Sequence, residues 1–259
     1  IMSNKKIFSL VPNLLTTVAL VFGLLSIFNI IKLFPLVDNE FLGIETFFLT
    51  EKSLWWSCIF LYIAAFIDFI DGKIARLLNK DSQFGAQYDS LSDLVCFGVA
   101  PSLLIYIVYL SQYNNLGIMC VIFYSVCVAL RLSRFNSLPS DVKDRFFIGL
   151  PSPMAAGLLI SVILIDYKFD LFTANSVSNF FLVFIPITGL LMVSNIPFAK
   201  KTFLNRMKKF NALIVLSIIL ISILTHIEIG SFILFYSYLF FAIGKHVFIK
   251  YKAAQKVSL

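Results

Sequence analysis

The sequence predicts an all-α, polytopic membrane bundle of about eight transmembrane helices, and three observations predict it. Hydrophobic residues make up 59% of the 259-residue chain and charged residues only 14%, against roughly a quarter charged in soluble domains. Mean hydropathy is +0.92. Apolar runs recur at about the 20-residue length that crosses hydrocarbon, and the basic residues gather at alternate ends of those runs.

The runs fall near residues 9–33, 54–78, 87–110, 116–136, 151–167, 176–197, 210–226 and 230–250. With the N-terminus in the cytoplasm, every basic residue except Lys32, Lys52 and Lys168 lies on the cytoplasmic side. Asp38, Glu40, Glu45, Glu51, Asp166, Asp170 and Glu228, half of the 14 acids, lie outside. This is the positive-inside pattern, so both termini are expected in the cytoplasm and the chain in the cytoplasmic membrane. The net charge of +7 is accounted for by topology and anionic inner-leaflet lipid, and no nucleic-acid partner is expected. The first run is long and lacks a small-residue cleavage site, which argues against a cleaved signal peptide. Cys58, Cys96, Cys120 and Cys127 lie in apolar runs without metal-ligand spacing and read as small packing residues.

Runs two and three are unusual, because carboxylates cluster where one ends and the next begins. Asp68 and Asp71 are three apart; Asp89 and Asp93 are four apart. Each pair shares a helix face, and consecutive antiparallel helices let the faces meet. An aspartate at a membrane helix centre costs about 2.5–3.5 kcal/mol, less near the interface, so such groups face a cavity or a partner. Four hard oxygen donors suit Mg²⁺ or Mn²⁺ and not a soft metal. The plainer reading pairs them with Lys73 and Arg76, but two cations cannot compensate four acids. Asp81 reads as a solvated loop residue.

Between the pairs, Gly72 and Gly85 leave backbone bare, Ala75 keeps a turn small, and Arg76 is a permanent, planar donor for a phosphate oxygen. A lone membrane-helix glycine is usually a packing notch. The combined spacing D-x2-D-G-x2-A-R-x8-G-x3-D-x3-D is far more specific, with Asp68, Asp71, Gly72, Ala75, Arg76, Gly85, Asp89 and Asp93 at its fixed positions. It resembles the signature of the CDP-alcohol phosphotransferase family at each of them.

That resemblance implies a six-helix core, a two-metal centre on Asp68, Asp71 and Asp89, and Asp93 as ligand and general base. It implies transfer of a lipid-phosphate group from a CDP-lipid to an alcohol with release of CMP, usually in a homodimer. The chemistry agrees: an alcohol needs a base, and His226 and His246 lie far along the chain, reading as outer-loop and interfacial residues. In relatives, residues at the start of the first span help enclose the nucleotide. This makes Pro12 and Asn13 of "LVPNLLTT" candidates; the competing reading is helix initiation, where a proline costs little. Ser82 falls where related enzymes place a hydroxyl near the CDP-lipid.

The acceptor is read from "ALRLSRFN" (129–136), "FIGLPSPMAAG" (147–157) and "LMVSNIPF" (191–198). Arg131 and Arg134 are three apart on one face. Pro151 and Pro153 are expected to forbid regular helix through that stretch, Gly149 permits an unusual backbone angle, and broken backbone at membrane depth is tolerated where it lines a polar cavity. These segments resemble the integral-membrane phosphatidylserine synthase branch of the family, with Met154 a departure where a small residue is expected. The implied substrates are CDP-diacylglycerol, within membrane lipid, and L-serine, with Arg131, Arg134, Gly149 and Ser152 around the serine. Glycerol 3-phosphate also suits a basic pocket, so phosphatidylglycerophosphate synthase is the alternative, and the arginines also read as ordinary positive-inside anchors. A cation transporter would spread its acids over several spans, and here they occupy two adjacent helix ends. Residues 1–200 are expected to form the catalytic core, and 201–259 two additional helices with a basic tail.

Overall fold

Helices follow the apolar runs in the computed structural model, which describes residues 4–32, 44–77, 83–137, 147–169, 174–198 and 226–257. Six stretches among them are long and apolar enough to cross a bilayer, the third being the 55-residue Gln83–Ser137. The described helices are α1 (Asn4–Ile31), α2 (Ile44–Leu77), α3 (Gln83–Asp93), α4 (Ala100–Ile105), α5 (Asn114–Ser137), α6 (Ser152–Phe169), α7 (Ala174–Val193) and α8 (Ile227–Val257). The expected span near 210–226 lies outside the described residues.

The 55-residue stretch is a hairpin. Wider π turns at Leu94–Val99 and Tyr106–Leu110 carry α3 through α4, and the chain reverses at Asn114, whose φ is 46°. The arms then pair in opposite directions: Tyr124 donates to the Phe97 carbonyl at 3.0 Å and Ser102 to the Val121 carbonyl at 3.2 Å. The first of these has a cause in the sequence. Pro101 has no N–H to offer the carbonyl four residues earlier, which is that of Phe97, and Tyr124 supplies the missing donor. Pro186 inside α7 repeats the pattern, because the Leu182 carbonyl it leaves free receives the Cys120 thiol at 3.8 Å. Buried backbone groups in an apolar medium must be satisfied, and here side chains from α5 do it.

The large side chains sort as a bilayer requires. Tyr124, Phe97, Phe181, Leu104 and Leu158 are buried in the interior, while Phe28, Phe66, Met119 and Phe240 are each more than half exposed. A water-soluble surface rarely carries so many exposed apolar groups; hydrocarbon accepts them. The chain is an integral membrane protein. Cys58, Cys96 and Cys127 are buried free thiols.

One departure from all-helix occurs where the sequence expects broken backbone. Phe147–Ile148 and Pro197–Phe198 form a two-residue antiparallel ladder, Phe147 opposite Phe198 and Ile148 opposite Pro197. Gly149 donates to the Ile196 carbonyl at 2.9 Å and Leu150 to the Leu191 carbonyl at 3.1 Å. Gly149 has a φ of 80°, and a Cβ there would lie 2.0 Å from the Met192 carbonyl oxygen. Only glycine fits. The expectation for Pro153 needs correcting: it lies within the first turn of α6, which starts at Ser152. A proline is tolerated there because the N–H it lacks has no intrahelical acceptor. Pro12 is corrected in the other direction, since α1 starts at Asn4 and Pro12 lies inside it, so helix initiation is not its role.

Candidate active site

Asp68 and Asp71 sit on the last turns of α2, and Asp89 and Asp93 on α3. The 3- and 4-residue spacings turn each pair to one face, and the two faces meet. One carboxylate oxygen from each of Asp68, Asp71 and Asp89 lies within 4.8 Å of the others. Asp93 extends the group, lying beside Asp68 and Asp89. Asp71 is 4% exposed.

Among the described residues no lysine or arginine forms a salt bridge with this cluster, although the buried Arg131 guanidinium lies close enough to act on Asp93 and Asp68. Lys73 is exposed and rests its ammonium 4.1 Å from the Phe69 ring centre. The salt bridge found among the described residues, Lys168 to Glu228 at 2.9 Å, belongs to other helices. The donor set of converging oxygens, with histidine absent from the described part of α2 and α3 and the nearby Cys96 thiol directed to the Ala19 carbonyl, fits a hard divalent cation.

A file of polar groups leads away from the acids. Arg131 of α5, 9% exposed, donates from Nη1 to Ser152 Oγ at 2.6 Å, and Ser152 donates onward to Asp93 Oδ2 at 3.5 Å. Ser152 opens α6 directly after the paired segment around Gly149, so the ladder sets where this hydroxyl stands.

The sequence profile of the CDP-alcohol phosphatidyltransferase family matches residues 9–244. The chain belongs to this family. It is a transferase. Three relatives, each named CDP-diacylglycerol–serine O-phosphatidyltransferase, illustrate the similarity. That of Helicobacter pylori is 36% identical over 199 residues, covering 74% of this chain and 84% of the relative. That of Methanocaldococcus jannaschii is 35% identical over 178 residues, covering 67% and 78%. That of Mycobacterium tuberculosis is 39% identical over 143 residues, covering 53% and 49%.

The remaining candidates of this CDP-alcohol phosphatidyltransferase divide by position. Gly72 and Gly85 are half-buried on the two acid-bearing helices. Ala75 and Arg76 belong to the last turn of α2, with side chains outside the described set, and Ser82 lies outside the described residues. Asn13 and Pro12 are half-buried on α1, whose contribution to the site comes one turn later. Arg134 parts company with Arg131: it is exposed, donating from Nη1 to the Val193 carbonyl at 3.2 Å and from Nη2 to Asn195 Oδ1. It braces the end of α7 next to the ladder. Met154 is half-buried against the core.

Thr16 is the residue that sequence reasoning missed. Its hydroxyl, on a residue 5% exposed, lies 2.8 Å from Asp71 Oδ2. Its neighbour Thr17 meets the Tyr88 hydroxyl at 2.9 Å. A signal was present, since both threonines stand in the "LVPNLLTT" stretch that already drew attention to Pro12 and Asn13.

Proposed function

We propose that this transferase is a phosphatidylserine synthase, moving the phosphatidyl group from CDP-diacylglycerol to the hydroxyl of L-serine and releasing CMP. The observation that carries the reading is the buried file Arg131–Ser152–Asp93 leading into a carboxylate cluster that makes no direct salt bridge among the described residues. The names of the relatives point to the same acceptor.

Asp68, Asp71 and Asp89, with Asp93 at their edge, would hold two Mg²⁺ or Mn²⁺ ions. When bound, such ions neutralise the pyrophosphate of the CDP-lipid and stabilise the departing phosphate oxygen. Asp93 takes the proton from the serine hydroxyl. The hydroxyl oxygen then bonds to the lipid-bearing phosphorus, and the bond from that phosphorus to the CMP oxygen breaks, its electron pair leaving with CMP. A carboxylate suits this because general bases act within hydrogen-bond reach of the proton they remove. Arg131 offers its guanidinium to the serine carboxylate, where a planar fork matches two oxygens. Ser152 and the Gly149 backbone shape the same pocket. Gly72, Ala75, Arg76, Ser82 and Gly85 would bind the CDP-lipid, with Pro12 and Asn13 enclosing its nucleotide.

The acid-bearing end faces the cytoplasm in this reading, on the side where the basic residues collect, and the protein works as a homodimer. Purified protein with CDP-diacylglycerol and Mn²⁺ or Mg²⁺ tests the assignment by CMP release with serine, glycerol 3-phosphate or inositol. Serine is expected to support release. Release with glycerol 3-phosphate alone would make the chain a phosphatidylglycerophosphate synthase.

A further inference from the structure

We infer that Thr16 is a positioning residue for the metal centre, so that α1 helps to build the cation site as well as the membrane bundle. The inference rests on the proposed divalent-metal site. It starts from a contact between two buried groups on different helices: Thr16 Oγ1 of α1 lies 2.8 Å from Asp71 Oδ2 of α2. The hydroxyl has two acceptors in range, the other being the Pro12 carbonyl at 3.1 Å. The carboxylate is closer and charged, which makes it the stronger acceptor. Thr16 also sits against the second acid-bearing helix, because its carbonyl accepts from Ser92 of α3 at 3.4 Å. One residue of α1 is therefore joined to both helices that carry the aspartates.

A carboxylate on a helix can rotate about its terminal torsion, which is broad. A donor on one oxygen stops that rotation and leaves the other lone pairs for a cation. Outer partners of this kind typically change metal affinity or activity by about 10–100-fold when removed. β-branched Thr16 is itself held in few rotamers, so the hydroxyl is fixed before any ion arrives.

The test uses full-length protein in detergent without lipid or serine, titrated with Mn²⁺ while free Mn²⁺ is read by electron paramagnetic resonance. Thr16→Val keeps the shape and removes the donor, and should raise the Mn²⁺ dissociation constant about 10-fold or more. Thr16→Ser should restore tight binding. In turnover assays the Mn²⁺ activation constant should rise in step, with the serine KM unchanged. If Thr16→Val fails to elute as folded protein, Thr16→Cys, a poor donor of similar size, takes its place with the same expectation. Wild-type Mn²⁺ affinity in the valine or cysteine variant would overturn the role of Thr16. Absence of Mn²⁺ binding by the wild type would instead overturn the metal reading beneath it.

Discussion

At one end of the bundle Asp68, Asp71, Asp89 and Asp93 crowd together, and among the described residues no lysine or arginine makes an ion pair with them. Toward the other end, about 20 Å along α6 at 1.5 Å per residue, the acids have ordinary partners. Tyr109 donates to Asp166 at 3.0 Å, and Lys168 pairs with Glu228 at 2.9 Å. There each of these carboxylates has a donor on one of its oxygens. Like charges brought together raise the cost of one another, so the crowded end gains nothing in stability from its arrangement. The contrast teaches that the far acids are tied to neighbouring helices by ordinary donors, whereas the crowded acids fit the proposed cation and substrate site.

The largest effect should separate these ends. Asp68→Asn, Asp71→Asn and Asp89→Asn should each cut turnover on the order of a thousand-fold or more, since metal clamping supplies several kcal/mol to a phosphoryl transfer. Their thermal unfolding midpoints should not fall, because removing unpaired charge relieves desolvation. Chelation of the wild type should abolish turnover likewise. Asp166→Asn should do the opposite, lowering the midpoint through a weaker Tyr109 contact worth about 1 kcal/mol while turnover stays near wild type. An inactive Asp166→Asn, or an active wild type in chelator, would break the comparison.

Within the crowded end, Asp93 should differ from its neighbours. Asp93→Asn should lower kcat by about 10²–10⁴, the usual reach of general-base catalysis, with little change in the CDP-diacylglycerol KM. A raised lipid KM at unchanged kcat would make Asp93 a binding residue.

The fold was legible because its causes are periodic. Long apolar runs and sided basic residues are visible without tertiary information, and the acid pairs announce a shared face by spacing alone. The broken segment was legible too, through Gly149 and Pro151, but its partner strand was not. No local rule tells Ile148 to pair with Pro197, because that register depends on two distant helix ends arriving side by side. Pro12 and Pro153 misled for one reason: proline marks helix boundaries only statistically, and its exact place in a helix is set by what precedes it. Thr16 escaped because a threonine in an apolar run is unremarkable until the helix packing brings Asp71 to it. Arg131 and Arg134 looked equivalent at a spacing of three, yet one is buried and the other exposed. Spacing places two residues near one face; it does not say which of them points inward.

The two arginines give the next test. Arg131→Lys should raise the serine KM because an ammonium cannot form the planar fork. Arg131→Ala should cost more, on the order of 2–5 kcal/mol for a buried paired charge, with CDP-diacylglycerol affinity little changed. Arg134→Ala should act mainly on stability, by about 0.5–1.5 kcal/mol per hydrogen bond lost, and much less on serine. If Arg134→Ala raised the serine KM as far as Arg131→Ala, both arginines would belong to the acceptor pocket. If lipid affinity fell instead, they would belong to the donor phosphates.

The smallest effect belongs to the far end. Lys168 and Glu228 keep 29% and 12% of their side-chain surface exposed, and Lys168 also approaches His226 Nδ1 at 2.9 Å. An ammonium only donates, so it can serve both neighbours at once. Water and salt reach such a pair, which limits its worth to about 0–1 kcal/mol. Glu228→Gln should therefore shift the unfolding midpoint slightly, more at low salt than at high salt, and leave CMP release and the Mn²⁺ activation constant untouched. The measurement is thermal unfolding in detergent at two ionic strengths beside the activity assay. A loss of turnover with the midpoint held would show that the far end reaches the aspartates, and the division of labour between the two ends would have to be redrawn.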